Sequence, residues 1–290
     1  MKHPLIFGAG AALLLTMGMA TTMPVQARQA TPQSAGKLVP PASAERLDAA
    51  IAGSWRTPAN RARDVYRHPK ATLQFFDVRP DQTVVEIIPG GGWYSEILAP
   101  MLRDGGHYIA AVEAPAGGEA KRNDEVLRRK FAADPAEYGK ARVVEFDPKA
   151  PVFGPPGSAD RVLTFRNVHN WAEAGTAEAM FKAFFAVLRP GGVLGVTDHR
   201  AAPGASLAAV EASGYLPTDY VIKLATDAGF KLAGQSEINA NPKDDRNHPK
   251  GVWTLPPTLT LGNQDRAKYL AIGESDRMTL RFVKPAAAAH

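Results

Sequence analysis

From Thr83 onward, short β-rich runs alternate with helical ones, and that alternation restricts the fold more than any other feature of the chain. The runs are Thr83 to Ile88, Tyr108 to Val112, Arg142 to Phe146, Arg161 to Phe165 and Val193 to Thr197. Helical patterns fill Ser95 to Leu102, Glu119 to Phe131 and Thr176 to Leu188 between three of the pairs. Strands separated by helices lie parallel and are joined by crossovers, so the pattern predicts an open, doubly wound α/β sheet with helices on both faces. In such sheets ligands bind beyond the carboxyl ends of the strands.

The tail breaks the alternation. After a helix at Thr218 to Ala228, strands are expected at Phe230 to Glu237 and Arg277 to Val283, separated by a polar stretch at Asn239 to Lys250 and a helix at Asn263 to Ile272. Two late strands joined by so long an excursion predict antiparallel neighbours. Asn241 to Pro249 is polar enough for a lid or a solvated loop.

Residues 1–27 read as an export signal. Lys2 precedes an apolar run of about 15 residues, Leu5 to Met19, and Val25-Gln26-Ala27 has the small residues a signal peptidase reads. The run is shorter than the ~20 residues that span a bilayer. The expected mature protein is periplasmic or secreted, with no stable membrane span. Residues 28–42 are a flexible Pro/Ala/Ser-rich linker and 43–80 a helical segment. Within it Ser43 is a candidate cap for a helix through Leu47, Ala50 and Ile51, with Gly53 as its stop. A second helix covers Ala59 to Tyr66, ending near His68-Pro69, and a third Lys70 to Phe76. The main domain is expected over 81–284 and a disordered tail over 285–290.

The chain has no cysteine, which removes disulfides, zinc–thiolate sites and thiol catalysis together. Its 34 basic and 29 acidic residues are intermixed, as in Lys121 to Arg142, so a basic stripe for nucleic acid is missing.

The strongest strand-like run, Val84-Val85-Glu86-Ile87-Ile88, leads into Gly90-Gly91-Gly92 and then a helix. That turn gathers free backbone N–H groups and main chain without Cβ atoms, which lets a flat ligand approach. Glu113 follows the second strand about 20 residues later, where an acid accepts hydrogen bonds from ribose hydroxyls. Asp147 follows the third strand and is placed either to meet an adenine amino group or to form an ordinary Asp-Pro turn. The loop reads Gly-Gly-Gly-Trp, not Gly-x-Gly-x-x-Gly, which argues against a nicotinamide enzyme, and no Gly-Lys-Ser/Thr follows to make a P-loop.

The ordered set formed by VVEIIPGGGWYSEIL, the acid after strand two, Asp147 and the turn LRPGGVL before strand five resembles the class I S-adenosylmethionine-dependent methyltransferases. GGGWYSEILAP together with NVHNW is similar to an uncharacterised bacterial branch with a signal peptide. The resemblance spans roughly residues 60 to 284. It implies a Rossmann-like, seven-stranded sheet with one antiparallel strand, and S-adenosylmethionine as cofactor. Glu86, Gly90, Gly91 and Gly92 then fall on the cofactor loop, Glu113 on the ribose, Asp147 on the adenine and Asn167 beside the methionine part or the acceptor. The chain departs from the family at Ile88, where glycine is frequent, and at Pro100 inside the next helix.

Methyl transfer needs alignment above all. His169, in Phe165-Arg-Asn-Val-His-Asn-Trp171, is a candidate proton acceptor and Trp171 a candidate pocket wall. Asp198-His199 is a candidate dyad in which the acid fixes the imidazole's tautomer. No close spacing of ligands predicts a metal. The acceptor is open among small molecule, lipid and protein. The competing reading is an exported, non-catalytic binding or sensing module for a nucleoside-like or small polar ligand.

Overall fold

All seven expected runs are strands: β1 (Thr83–Ile87), β2 (His107–Glu113), β3 (Arg142–Phe146), β4 (Ala159–Phe165), β5 (Leu188–His199), β6 (Lys231–Ser236) and β7 (Arg277–Val283). They form one sheet in the order β3-β2-β1-β4-β5-β7-β6. Strands β1 to β5 pair in parallel, and β7 runs antiparallel to both β5 and β6. This is the Rossmann-like, seven-stranded arrangement expected from the sequence. The computed structural model describes residues 41–114 and 118–286. The expected export signal, all but the last two residues of the linker, and the last four of the tail lie outside the described residues. No helix among the described residues is long and apolar enough to cross a membrane.

The helices are α1 (Pro41–Ala52), α2 (Pro58–Arg61), α3 (Asp64–Arg67), α4 (Pro69–Phe75), α5 (Ser95–Leu102), α6 (Gly118–Ala133), α7 (Pro135–Tyr138), α8 (Val168–Glu173), α9 (Ala177–Val187), α10 (Leu207–Val210), α11 (Thr218–Asp227) and α12 (Arg266–Ile272). Side-chain alternation along β1 divides the core between two faces. Val84 packs with Leu73, Ile97, Leu98 and Leu127 from α4, α5 and α6. Val85 and Ile87 pack with Trp171, Phe181, Phe184 and Leu224 from α8, α9 and α11.

Three local expectations are corrected. Helix α1 is already formed at Pro41, the first described residue, so Ser43 lies inside it and is not its cap. The helix expected over Ala59 to Tyr66 is two single turns, α2 and α3. Thr57 caps the first, accepting from Asn60 N at 3.3 Å. The chain then bends where Arg56 grips Asp64 through two bonds of 2.7 and 2.8 Å and Arg63 reaches Glu274 at 2.6 Å, so long-range ion pairing overrides local helix propensity. Strand β5 is longer than its apolar run because Gly191 and Gly192 exchange backbone hydrogen bonds with Lys284, extending the pairing with the β7 segment.

The sequence order 3-2-1-4 reverses direction between β1 and β4, and the crevice of such a sheet opens there. The last residues of β5 continue to His199, paired with Arg277 at the start of β7. Both therefore reach the edge at which the site is built.

Gly195, in mid β5, has no room for a side chain: a Cβ would stand 2.6 Å from the ring of fully buried Phe76. Gly195→Ala is expected to destabilise the fold by about 1–3 kcal/mol, the usual cost of overpacking. The urea midpoint should fall; an unchanged midpoint would mean that the sheet and α4 are not packed as described.

Candidate functional site

A cavity of about 880 Å3 opens at the carboxyl ends of the strands, near the upper end of the ~300–1,000 Å3 usual for ligand sites. Its floor runs from Ile88 to Gly91 after β1, and Glu113 stands at the end of β2. Arg166, Asn167 and His169 follow β4, His199 ends β5, and Glu274-Ser275 precede β7. Arg63, Arg67 and Trp253 form the outer wall.

Gly90 and Gly91 present bare main chain. A Cβ built on either would meet no atom of the described residues within 4 Å, and Gly90 has a left-handed φ of 58°. Gly92, also left-handed at 81°, has a different part: a Cβ there would come within 2.9 Å of Leu127 Cδ1. It is a packing glycine between the turn and α6 and does not line the cavity, which corrects its placement among the ligand-facing residues. Ile88, at the position where the family often has glycine, keeps glycine's backbone, with φ 46°. A β-branched residue there is strained and persists only because its surroundings hold it.

Trp93 and Tyr94 form part of the wall without filling the space. They are 5% and 4% exposed. Trp93 donates to Asn60 O at 2.8 Å and lies 4.7 Å from the Arg67 guanidinium, while Tyr94 stacks on Phe165 at 3.6 Å. Trp93 thus lashes the glycine turn to α2 and α3, and Tyr94, whose Oη donates to Arg67 O at 3.3 Å, lashes it to α3 and β4.

Of the acids, Glu113 lines the cavity as the spacing predicts. Asp147 does not: it is exposed and accepts from Lys149 N at 2.8 Å, so it closes its own turn, and Pro148 and Lys149 reach the wall instead. Glu86 is 2% exposed, accepting from Tyr108 Oη at 2.6 Å and Ser95 Oγ at 3.2 Å. Burial pushes its carboxyl up to about 7, against the lowering effect of those two hydrogen bonds. Asn167 lines the cavity, but its amide nitrogen is committed to Ile87 O at 2.9 Å and Thr164 Oγ1 at 3.2 Å. It fastens the end of β4 to the end of β1.

The expected pairing of Asp198 with its neighbour His199 is not what the structure contains. Asp198 Oδ1 accepts from the His169 ring Nδ1 at 2.9 Å and from His199 N at 2.7 Å, and Oδ2 accepts from Val168 N at 2.7 Å. The acid therefore orients the imidazole of α8, across two strand ends, and only the backbone of His199. The His169 ring thus turns Nδ1 to the acid and leaves Nε2 away from it. The His199 ring lies 5.0 Å from that of His169 and hydrogen-bonds Ser275 Oγ through Nδ1. Burial, followed by His169 and the arginines at 166, 277 and 67, pushes His199 well below the usual histidine range, so it stays neutral. His169, Asp198 and His199 offer ligand atoms within 4.8 Å of one another. A cation would have to displace three N–H donors from Asp198, and the cluster is wired as an oriented acid–imidazole pair.

Trp171, expected as a wall, touches the cavity but is mostly core, packed on Phe184 at 5.6 Å. Trp253 takes the outer position, 6.1 Å from the His169 ring. The loop 241–249 is not a lid: Asp244 is 1% exposed and accepts from Tyr215 Oη, Arg246 N, His248 Nε2 and Asp276 N. Asn241 Nδ2 donates to Ile272 O and Glu274 O. The loop therefore fixes the segment that carries Glu274 and Ser275. Sequence reasoning missed the arginines at 63, 67 and 166, together with Glu274. Their only trace in the sequence is the density of bases in Arg61-Ala-Arg-Asp-Val-Tyr-Arg67 and the charged knot Glu274-Ser-Asp-Arg277.

No family model matches the chain, and no curated protein does. Among solved structures, it is similar to an S-adenosylmethionine-dependent methyltransferase from Aquifex aeolicus, 16% identical with a TM-score of 0.50, over 68% of this chain and 93% of that one. It is also similar to a candidate sarcosine dimethylglycine methyltransferase from Galdieria sulphuraria, 13% identical with a TM-score of 0.53, over 78% and 88%. The [4+2]-cyclase SpnF is 14% identical with a TM-score of 0.52, over 81% and 84%. At these identities the likeness is one of fold, and the cyclase among them shows that the fold alone does not name a reaction.

The raised Glu86 carboxyl makes a pH prediction. Between about 4.5, its ordinary value, and about 7, the folded state holds a proton that the unfolded state has released. Its contribution to stability is therefore full below that window, is lost as pH rises through it, and is level above. Comparing urea midpoints of the wild type and Glu86→Gln at about pH 5 and pH 8 isolates this slope. The wild type should lose more stability than the variant; equal losses would mean that Glu86 is not buried as described.

Proposed function

We propose that the chain is an S-adenosylmethionine-dependent methyltransferase. The observation that carries this reading is that the bare Gly90–Gly91 surface and the His169 imidazole, held from behind by buried Asp198, face one cavity. The cradle fits an adenosyl group: the floor offers room where a Cβ would otherwise stand, and Glu113 stands two strands from the imidazole to accept from ribose hydroxyls. Gly90, Gly91 and Glu113 would hold the cofactor, which when bound supplies a methyl group activated on a sulfonium.

The protein's own part is positioning and proton handling. Asp198 sets the His169 tautomer and stabilises the imidazolium that forms. His169 Nε2 takes the proton from an acceptor oxygen or nitrogen. Asn167 holds the ends of β1 and β4 together, so the floor and the imidazole keep their spacing. Trp253 and the Trp93–Arg67 wall limit water. We also propose that the enzyme works outside the cytosol, a reading supported by the basic start, the apolar run Leu5 to Met19 and the small residues before Arg28.

Calorimetric titration with S-adenosylhomocysteine is the direct test, with NADH as a control ligand that should not bind. Silence with the adenosyl ligand at millimolar concentration would turn the reading toward a non-catalytic binding module. With labelled S-adenosylmethionine and an extract as the source of acceptor, His169→Ala should leave cofactor affinity intact and cut methyl incorporation by about 100-fold or more. Undiminished incorporation would remove His169 from the reaction.

A further inference from the structure

Four guanidinium groups, from Arg63, Arg67, Arg166 and Arg277, converge on the single carboxylate of Glu274. Arg63 Nε lies 2.6 Å from Oε1, and Arg277 Nη1, Arg67 Nε and Arg166 Nη1 lie 3.2, 3.5 and 3.9 Å from Oε2. Glu274 is 3% exposed, and although burial acts to raise its carboxyl, Arg67, Arg277 and Arg63 outweigh that and hold it at about 2. One carboxylate cannot neutralise four cations. Arg67 is pushed well below the usual arginine range by burial, then by Arg166, and Arg166 falls to about 10, with burial the first cause. Arg63 Nη2 and Arg277 Nε are buried without a hydrogen-bond partner among the described residues.

The other acids facing this cluster do not cancel the excess. Asp198 adds one negative charge that acts on Arg166, which still leaves four guanidiniums facing two carboxylates, and Glu86 holds its proton up to about 7. Asp64 is taken by Arg56, and Asp276 by Arg200 and Arg246. Arg63, Arg67, Arg166 and Glu274 all line the cavity, next to Ser275, His199 and His169.

We propose that the methyl acceptor is a small molecule carrying an oxyanion, a carboxylate or a phosphate, which the arginines at 63, 67 and 166 bind while its nucleophile faces His169. The inference rests on the methyltransferase reading and adds the substrate class to it. S-adenosylmethionine carries a sulfonium, an ammonium and one carboxylate, so it is a net cation and worsens the imbalance; an anionic acceptor corrects it. Placement separates the two molecules. Glu113 and Lys149 follow β2 and β3 on one side of the glycine turn, whereas Arg166, His199 and Glu274 belong to β4, β5 and the approach to β7 on the other. Planar guanidiniums are the donors best matched to carboxylate and phosphate oxygens.

The arginines could instead serve the cofactor's own carboxylate, and the experiment distinguishes the two sources. Inorganic phosphate and succinate are titrated calorimetrically into the free protein and into protein saturated with S-adenosylhomocysteine. The wild type, Arg166→Gln, Arg63→Gln and the conservative Arg166→Lys are compared, with circular dichroism as the check that each is folded. Arg166 and Arg63 are the more exposed members of the cluster, which favours folded variants. At least one anion should bind both forms of the wild type. It should bind roughly ten-fold or more weakly to the glutamine variants, the scale of one lost charge-assisted hydrogen bond, with partial recovery in Arg166→Lys. Absence of anion binding to the folded wild type overturns the proposal. So does exclusion of the anion by S-adenosylhomocysteine, if the glutamine variants also weaken S-adenosylhomocysteine but spare 5′-methylthioadenosine, which lacks the carboxylate. Anion binding that depends on Arg166, with no binding of either adenosyl ligand, keeps the oxyanion site and rejects the methyltransferase reading.

Discussion

The buried carboxylate of Glu274 is the tie on which the shape of the site depends. It gathers Arg63 and Arg67 from the helical segment before the sheet, Arg166 from the end of β4 and Arg277 from the start of β7. A buried ion pair gives little net stability, yet removing one partner leaves an uncompensated charge, so such a group specifies an arrangement more than it strengthens it. Here the arrangement is the outer wall. The carboxylate is itself fixed by Asn241, which holds the carbonyl of Glu274, and by Asp244, which accepts from the backbone of Asp276.

Around that tie the cavity keeps a positive field in a setting that water screens poorly. Two groups register it. His199, buried beside His169 and facing the arginines, stays neutral, while Asp198 turns to the other imidazole and to two backbone N–H groups. Two histidines whose rings are 5.0 Å apart are thereby held differently: one is oriented by Asp198, the other is a neutral partner of Ser275. Environment separates them, since the side chains are the same.

The sequence discloses the fold because fold is written in local pattern. The central strands were legible as apolar runs, and the antiparallel β7 as a consequence of the long excursion before it. Glu113 and the glycine turn were legible for the same reason, being set by spacing along one strand–turn–helix unit. What depends on contacts between distant segments was not. Asp198 sits beside His199 in the chain, but the residue its side chain orients is 29 positions earlier. Gly92 looks like its two neighbours and is distinguished only by Leu127 on a later helix. Asp147 resembles an adenine ligand until its bond to Lys149 is seen. The arginines look like a solvated basic stretch until Glu274 arrives from more than two hundred residues away.

The division of the chain into a helical preface and a sheet domain beginning near residue 81 also changes meaning. Trp93 is pinned by Asn60 and faces Arg67, and Glu96 at the head of α5 receives Thr57 N and approaches Arg56. The glycine turn is thus braced from outside the sheet by residues that precede it. A fragment trimmed to the sheet would retain every strand and lose the vessel.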